Sequence, residues 1–413
     1  MLSLPAPTFC AAAATIRFAD VVTLSGDQLK RLVGYSIERL GVLACTAEAC
    51  RPIPMQVDER DHLGAWVLDS GPQPSSDAPA GVFDGDDVLL FMAADSGDAV
   101  ARAKLPSPAT VQAVAVNDPL SPTGQWIYVV GYDGPAPRAP QRYVDYDPGR
   151  DRFTGARVQM GFREGVPNHI AIDGDVRNVL DRLKIRAAAS LFWGWLRFER
   201  SEDDLTNELI GWHAGPIRII RHQQQRVRLG WGIRSPTFRS YTYFYRDFAE
   251  LPVGLRLNHP PTYFFSDIVI EVVLDFRDLF GWQLYLPQRR ERLRVGEIAA
   301  SRISELNLID DTTFALVGPQ VTLVQTFSVS NSLRAVYKHF IYRDGIQPDP
   351  PESVVGQRPG VGYGLERWED VEAGEHGLLV VSYALPPDVD MEEFVRSRAS
   401  PLQAVVEPVV PSD

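Results

Sequence analysis

Hydrophobic and polar positions alternate with a period of two over long stretches of the second half of the chain. In Gly211-Trp-His-Ala-Gly-Pro-Ile-Arg-Ile-Ile-Arg-His-Gln-Gln-Gln-Arg-Val-Arg-Leu-Gly-Trp231, the residues Ile217, Ile219, Val227 and Leu229 fall on one side. Arg218, His222, Gln224, Arg226 and Arg228 fall on the other. Successive side chains of a strand point to opposite faces, so this is a strand signature. Ile220, Arg221, Gln223 and Gln225 break the pattern, which a turn or bulge near the glutamines would explain. Tyr241, Tyr243 and Tyr245 then share one face. Further on, Phe264, Ile268, Ile270, Val272, Leu274 and Phe276 form an apolar face opposite Tyr263, Phe265, Asp267, Glu271 and Asp275. One buried and one wet side per strand predicts a broad antiparallel sheet. Its Arg, Tyr and His residues are expected to face outward on a common platform.

The same patterning predicts strands near 183–198, 215–230, 238–248, 264–276, 312–317, 321–327, 334–343 and 378–384. The charged stretch 289–306 is expected to be a helix or a long connection. Nearer the start, 52–58 reads as an edge strand because of its prolines, and 88–92 and 126–130 read as buried strands. Residues 25–40 suggest a short helix or turn. The Pro-, Gly- and Asp-rich stretch 133–150 is the best domain boundary. It separates a small N-terminal β-sandwich, 15–150, from a larger β unit, 151–405, with a loose tail at 406–413. The fold class expected is therefore mostly β with few helices. No repeat of fixed period is present, which argues against a propeller or solenoid.

Composition narrows the partners. The chain has 413 residues, 45% hydrophobic and 23% charged, enough to bury a sizeable core. Its net charge of -12 argues against a nucleic-acid partner, which would normally meet a basic surface. No run of about 18 apolar residues exists to form a transmembrane segment. Residues 1–14 are apolar and small and end in Ala12-Ala13-Ala14, as in the remnant of a secretory signal; Cys10 does not sit in a lipoprotein site. Cys45 and Cys50 lie between two strand-like segments and are expected to form a cross-hairpin disulfide. A periplasmic or extracellular location follows from these signals.

Candidate chemistry concentrates on the predicted platform. A lyase acting on a uronic sugar needs a base for the C5 proton and a cation for the developing negative charge. His213, His222 or Tyr245 would supply the first and Arg218 the second. The alternative is a packed or ligand-contacting surface. Trp193, Trp195, Trp212 and Trp231, with Tyr241, Tyr243, Arg226 and Arg228, would bind a sugar ring or a partner protein on that surface. Asp267 and Glu271 lie roughly 13 Å apart along a strand, too far for a hydrolase carboxylate pair. Salt bridges from these acids to Arg218, Arg226 or Arg228 are expected instead. Asp84, Asp86 and Asp87 are candidate calcium ligands. Their spacing departs from the calcium-loop pattern, and a turn capped by aspartates is the alternative. No phosphate loop, serine-hydrolase elbow or zinc-protease helix is present, and no other cofactor is implied.

Two groups of motifs resemble known families. Pro52-Ile-Pro-Met-Gln-Val-Asp-Glu-Arg-Asp61 with Val82-Phe-Asp-Gly-Asp-Asp-Val-Leu-Leu-Phe-Met-Ala93 resembles the opening of uncharacterised exported bacterial β-sandwich proteins. Gly215-Pro-Ile-Arg218, Val361-Gly-Tyr-Gly-Leu-Glu-Arg-Trp368 and Gly374-Glu-His-Gly377 look like the supersandwich of galactose-mutarotase-like domains. That fold occurs in several polysaccharide lyases. The resemblance implies a supersandwich over the larger unit and leaves chemistry open. The expected function is an exported, non-catalytic binding or assembly protein contacting a glycan or another exported protein. A carbohydrate-active enzyme, most plausibly a polysaccharide lyase, and an accessory subunit of a larger periplasmic complex are the alternatives.

Overall fold

The computed structural model describes residues 16–106, 110–172, 177–191, 196–230, 233–235, 237–345 and 356–408. The expectations for 1–14, Cys10, Trp193, Trp195 and Trp231 lie outside these residues. The described chain is mostly β, with antiparallel pairing throughout its sheets.

The N-terminal unit is a sandwich of two sheets. One is three-stranded, in the order Val21–Ser25, Val88–Met92, Gln56–Asp58. The other is five-stranded, in the order Gln403–Glu407, Thr110–Asn117, Gln125–Gly131, Leu40–Cys45, Cys50–Pro52. Leu24, Leu40, Val42, Leu89, Phe91, Val114 and Val129 close the core between them. Gln56–Asp58 does lie on a sheet edge, where the prolines before it cost no ladder hydrogen bond. Cys45 and Cys50 are disulfide-bonded across the Leu40–Cys45 and Cys50–Pro52 hairpin.

The larger unit stacks a ten-stranded sheet on a five-stranded one. Along the main path the long sheet runs Leu205–Ala214, Ile219–Gly230, Phe238–Phe244, Phe248–Leu257, Gly374–Leu385, Thr322–Val329, Thr313–Val317, Gln283–Leu286, Glu291–Arg294. The facing sheet runs Leu196–Ser201, Leu180–Leu191, Phe265–Phe276, Gly360–Glu366, Tyr337–Arg343. Phe276, Leu284, Phe314, Leu316, Phe340, Val361 and Tyr363 fill the space between. Within the facing sheet, Gly362 lets Gly360–Glu366 lie close against Phe265–Phe276: a Cβ there would meet the Val272 carbonyl oxygen at 2.0 Å. A four-stranded sheet, Val166–Ile172, Val158–Arg163, Arg152–Thr154, Asp145–Asp147, covers part of the long sheet from outside.

Several expectations are corrected. The region 215–230 is the second half of a hairpin, Leu205–Ala214 with Ile219–Gly230, and 183–198 is likewise interrupted between Leu180–Leu191 and Leu196–Ser201. The stretch 289–306 divides into the strand Glu291–Arg294 and the helix Ala300–Leu306. The C-terminal residues are not all loose: Gln403–Glu407 pairs with Thr110–Asn117 and belongs to the first sandwich. The preceding helix Met391–Ala399, N-capped by Asp390, guides the chain back. Arg17 anchors that return, donating to Ser397 O at 2.9 Å and Ser400 O at 2.7 Å and pairing with Asp118. The acids of Phe265–Phe276 also find other partners. That strand lies in the facing sheet, so Asp275 pairs with Lys184 at 2.6 Å and Glu271 with Arg343 at 2.6 Å, in place of the arginines of 218–228.

Candidate functional site

The strand Ile219–Gly230 was expected to have one wet face, yet residues 219–223 are all buried. Both faces are covered because two different layers pack on them. Ile219 and Phe244 meet Val144 and Phe153 of the four-stranded layer, while Ile220 meets Trp66 and Leu68 of the N-terminal unit. Tyr245 is buried beside Ile217, Leu90 and Met92. The predicted outward platform is therefore corrected at its centre: Arg218, His222 and Tyr245 are interior residues. Tyr241 and Tyr243 are half-buried, with parallel rings 6.2 Å apart. Among the described residues of that strand, Arg226 and Arg228 at the far end are exposed, where Arg226 reaches Thr237 Oγ1 at 2.6 Å and Arg228 donates to the Asp203 carbonyl.

Arg218 is the centre of a polar network sealed between the layers. Its Nε donates to Asp58 Oδ2 at 2.9 Å, a second guanidinium nitrogen pairs with the same carboxylate, and NH1 donates to Tyr245 Oη at 3.1 Å. Asp58 is 2% exposed and Arg218 5%. Gln56 completes the network. Its Oε1 accepts from Ile217 N and Arg218 N, both at 2.9 Å, and its Nε2 donates to Asp58 Oδ1 at 2.6 Å. Gly215 makes room for it, because a Cβ there would fall 2.0 Å from the Gln56 amide. The rings of Trp66 and Tyr243 flank the guanidinium at 4.9 and 5.0 Å, and Trp66 Nε1 donates to Tyr243 Oη at 2.8 Å. Burial works against the Arg218 charge, but Asp58 and Tyr245 outweigh it and hold the guanidinium above its ordinary value. Burial pushes the Tyr245 hydroxyl and the Glu250 carboxyl up.

His213 closes one side of the network. Its Nδ1 is 3.1 Å from Asp69 Oδ2 and its Nε2 is 3.4 Å from Asp58 Oδ1. Burial opposes its charge, but the Asp69 hydrogen bond and the Asp58 charge prevail and raise its pKa. The same hydrogen bond holds Asp69 below the usual carboxylate range. His222 does not join this group. It packs against the Tyr241 ring at 4.2 Å, and burial, with Arg239 nearby, lowers its pKa to about 4. Trp212 points away from His213, to the other face of the sheet, where its ring meets Tyr146 at 5.5 Å. That face carries its own buried cation, Arg221, paired with Asp151 at 2.6 Å.

The Asp84, Asp86 and Asp87 carboxylates do cluster, with ligand atoms within 4.8 Å of one another. The geometry around Asp87 is that of a capped turn: Oδ1 accepts from Arg60 N and Oδ2 from Asp84 N, both at 3.0 Å. Burial raises the Asp87 pKa to about 6. Two open depressions stand out among the described residues. One, of 410 Å³, is lined by Tyr285, Arg292 and Glu392. The other, of 580 Å³, is lined by Asn331, Arg334, Asp370, Glu372 and Glu375 over His376. Neither includes the candidate catalytic, binding or metal-ligating residues, although the second takes in Gly374, Glu375 and His376 of the Gly374–Gly377 motif.

Sequence reasoning missed Asp58, Gln56, Trp66 and Asp69. One signal was available: Gln56 and Asp58 stand at alternating positions in a short strand, and a polar pair on one strand face asks for a partner. The partner lies 160 residues away, beyond the reach of periodicity.

Comparison with protein-family models and with curated proteins finds no match. Among solved structures, the chain is similar to an alpha-mannosidase from Enterococcus faecalis V583, with a TM-score of 0.53 at 8% identity. That match covers 95% of this chain and 45% of the mannosidase. A glycosyl hydrolase family 38 protein from Enterococcus faecalis matches with a TM-score of 0.50 at 8% identity, over 96% of this chain and 46% of that one. The chain thus spans less than half the length of these structures, and the shared property is the β-sandwich fold.

Proposed function

We propose that this chain is a non-catalytic binding module of an exported protein, with a glycan as its ligand. The observation that carries this reading is the commitment of the ionisable groups a lyase would need. Arg218 is neutralised by Asp58, and both ring nitrogens of His213 face carboxylates. His222 is buried away from them. A base whose lone pair is engaged and a cation already paired in the interior favour cohesion of layers over turnover. The disulfide supports an oxidising compartment, and no helix among the described residues is long and apolar enough to cross a membrane. The likeness to an alpha-mannosidase makes a saccharide the first ligand class to test.

The test has two arms. Incubation of the full chain with polygalacturonate or alginate is expected to release no unsaturated uronic product. Turnover abolished by His213→Ala would sink the non-catalytic reading. Retention of the chain on immobilised polysaccharides is expected in the same preparation. A stoichiometric protein partner with no saccharide retention would favour the assembly-subunit alternative.

A further inference from the structure

One end of the larger sandwich carries both a group of exposed aromatic rings and the polar 580 Å³ depression. The chain passes there from the long sheet to the facing one, between Phe248–Leu257 and Phe265–Phe276. Tyr263 is 72% and Phe264 59% exposed. Each ring leans on His259, at 6.0 Å and 6.2 Å, and Phe264 also meets Phe265 at 6.3 Å. Phe198, on the neighbouring hairpin, lies 5.7 Å from Phe265. The register is irregular at the base of this group: Ala188 pairs with Val269 but Ser190 with Ser266. Asp267 takes up the extra residue with a φ of 50°. Such bulges re-aim the side chains beside them.

Pairing places the depression at the same end of the long sheet. Gly374, which lines it, is the partner of Leu257, two residues before His259. Its floor is fixed: His376 Nδ1 is 3.0 Å from Ser332 Oγ, and its Nε2 is 3.0 Å from the Glu372 carbonyl. Above that floor Arg334, Asp370, Glu372 and Glu375 are all exposed. Aromatic faces take the C–H side of a pyranose, and carboxylates with a guanidinium take its hydroxyls. Three carboxylates against one guanidinium, on a chain of net charge -12, disfavour an anionic polymer.

We propose that this end of the molecule is a binding site for a neutral oligosaccharide, stacked on Tyr263 and Phe264 and hydrogen-bonded by Arg334, Asp370 and Glu375. The site deepens the glycan-binding reading and rests on it. Its location is independent of the buried Arg218 network.

The test is native affinity electrophoresis of the full chain through gels containing mannan, galactomannan or polygalacturonate. Wild type runs beside Tyr263→Ala/Phe264→Ala, Asp370→Asn/Glu375→Gln and, as a control, Leu63→Ala, an even more exposed apolar residue on a different loop. Thermal unfolding confirms that each variant is folded. The expected result is retardation by a neutral polysaccharide, weakened about tenfold in both double variants and unchanged in the control. Retardation that both double variants retain overturns this location while the glycan-binding reading stands. Retardation by polygalacturonate alone overturns the neutral ligand. Absence of retardation by every polysaccharide overturns the site together with the reading beneath it.

Discussion

Between the N-terminal layer and the long sheet, the Arg218 guanidinium is paired with the Asp58 carboxylate, and both groups are buried. Removing the acid alone leaves the buried cation without its ion-pair partner. Asp58→Ala is expected to destabilise the fold by about 3–5 kcal/mol in denaturant unfolding, whereas the joint replacement Asp58→Leu/Arg218→Met is expected to recover most of that loss. His213 adds a pH dependence with a definite sign. Its folded pKa is raised, so its contribution is complete below about 6.5 and fades as pH rises through the folded value. Asp69 has a lowered folded pKa, so its share is complete above the ordinary carboxylate value and fades as pH falls through the folded one. The clamp is therefore strongest in mildly acidic solution, and His213→Ala is expected to flatten the stability profile there. His222 works oppositely: its pKa of about 4 means stability falls as pH drops from about 6.5 towards that value, and His222→Gln is expected to remove that slope. Alternation assigned Arg218, His222 and Tyr245 to one common face of the sheet, and that much was legible. Whether water or a second layer covers that face depends on Trp66, Leu68 and Leu90, which a local period cannot see.

At the scale of elements, the strand signals held where a run was uniformly apolar or cleanly alternating. Val88–Met92 and the 268–276 part of Phe265–Phe276 are such cases, while the bulge at Asp267 breaks the period before it and leaves Phe264 exposed. They slipped where two strands followed one another through a short break, as at 215–218 between Leu205–Ala214 and Ile219–Gly230. That break is where Gln56 enters. Gly215→Ala is expected to expel its amide, leave Ile217 N and Arg218 N without their acceptor, and cost roughly 1–3 kcal/mol in chemical denaturation. The Cys45–Cys50 bridge closes a short loop, so Cys45→Ser/Cys50→Ser is expected to lower stability by only about 2 kcal/mol. The C-terminal strand was hidden by its Pro-rich flanks, although Gln403–Glu407 does alternate between exposed and half-buried positions. Ending the chain at 400 is expected to leave Thr110–Asn117 as an open edge, read as faster hydrogen exchange along that strand and a tendency to self-associate.

Over the whole molecule, a mostly β architecture and a disulfide were readable because both are local statements about period and spacing. The placement of polar groups was not, because it is set by which layer covers which sheet. The layers are joined by the Arg218 network on one side and by the Arg17 anchor to Ser397, Ser400 and Asp118 on the other. Unfolding is therefore expected to be a single transition for probes in both units. The exposed Tyr263 and Phe264 stand apart from these joints, so ligand work on that end can proceed without disturbing them. The pairing of Thr110–Asn117 with Gln403–Glu407 also bears on biosynthesis. A polypeptide emerging from the ribosome can lay down most of its first sandwich early, yet the missing edge arrives only after the whole larger unit has been translated. During that interval the half-finished sheet needs a chaperone, a translocation machine or sheer speed to keep strangers off its margin.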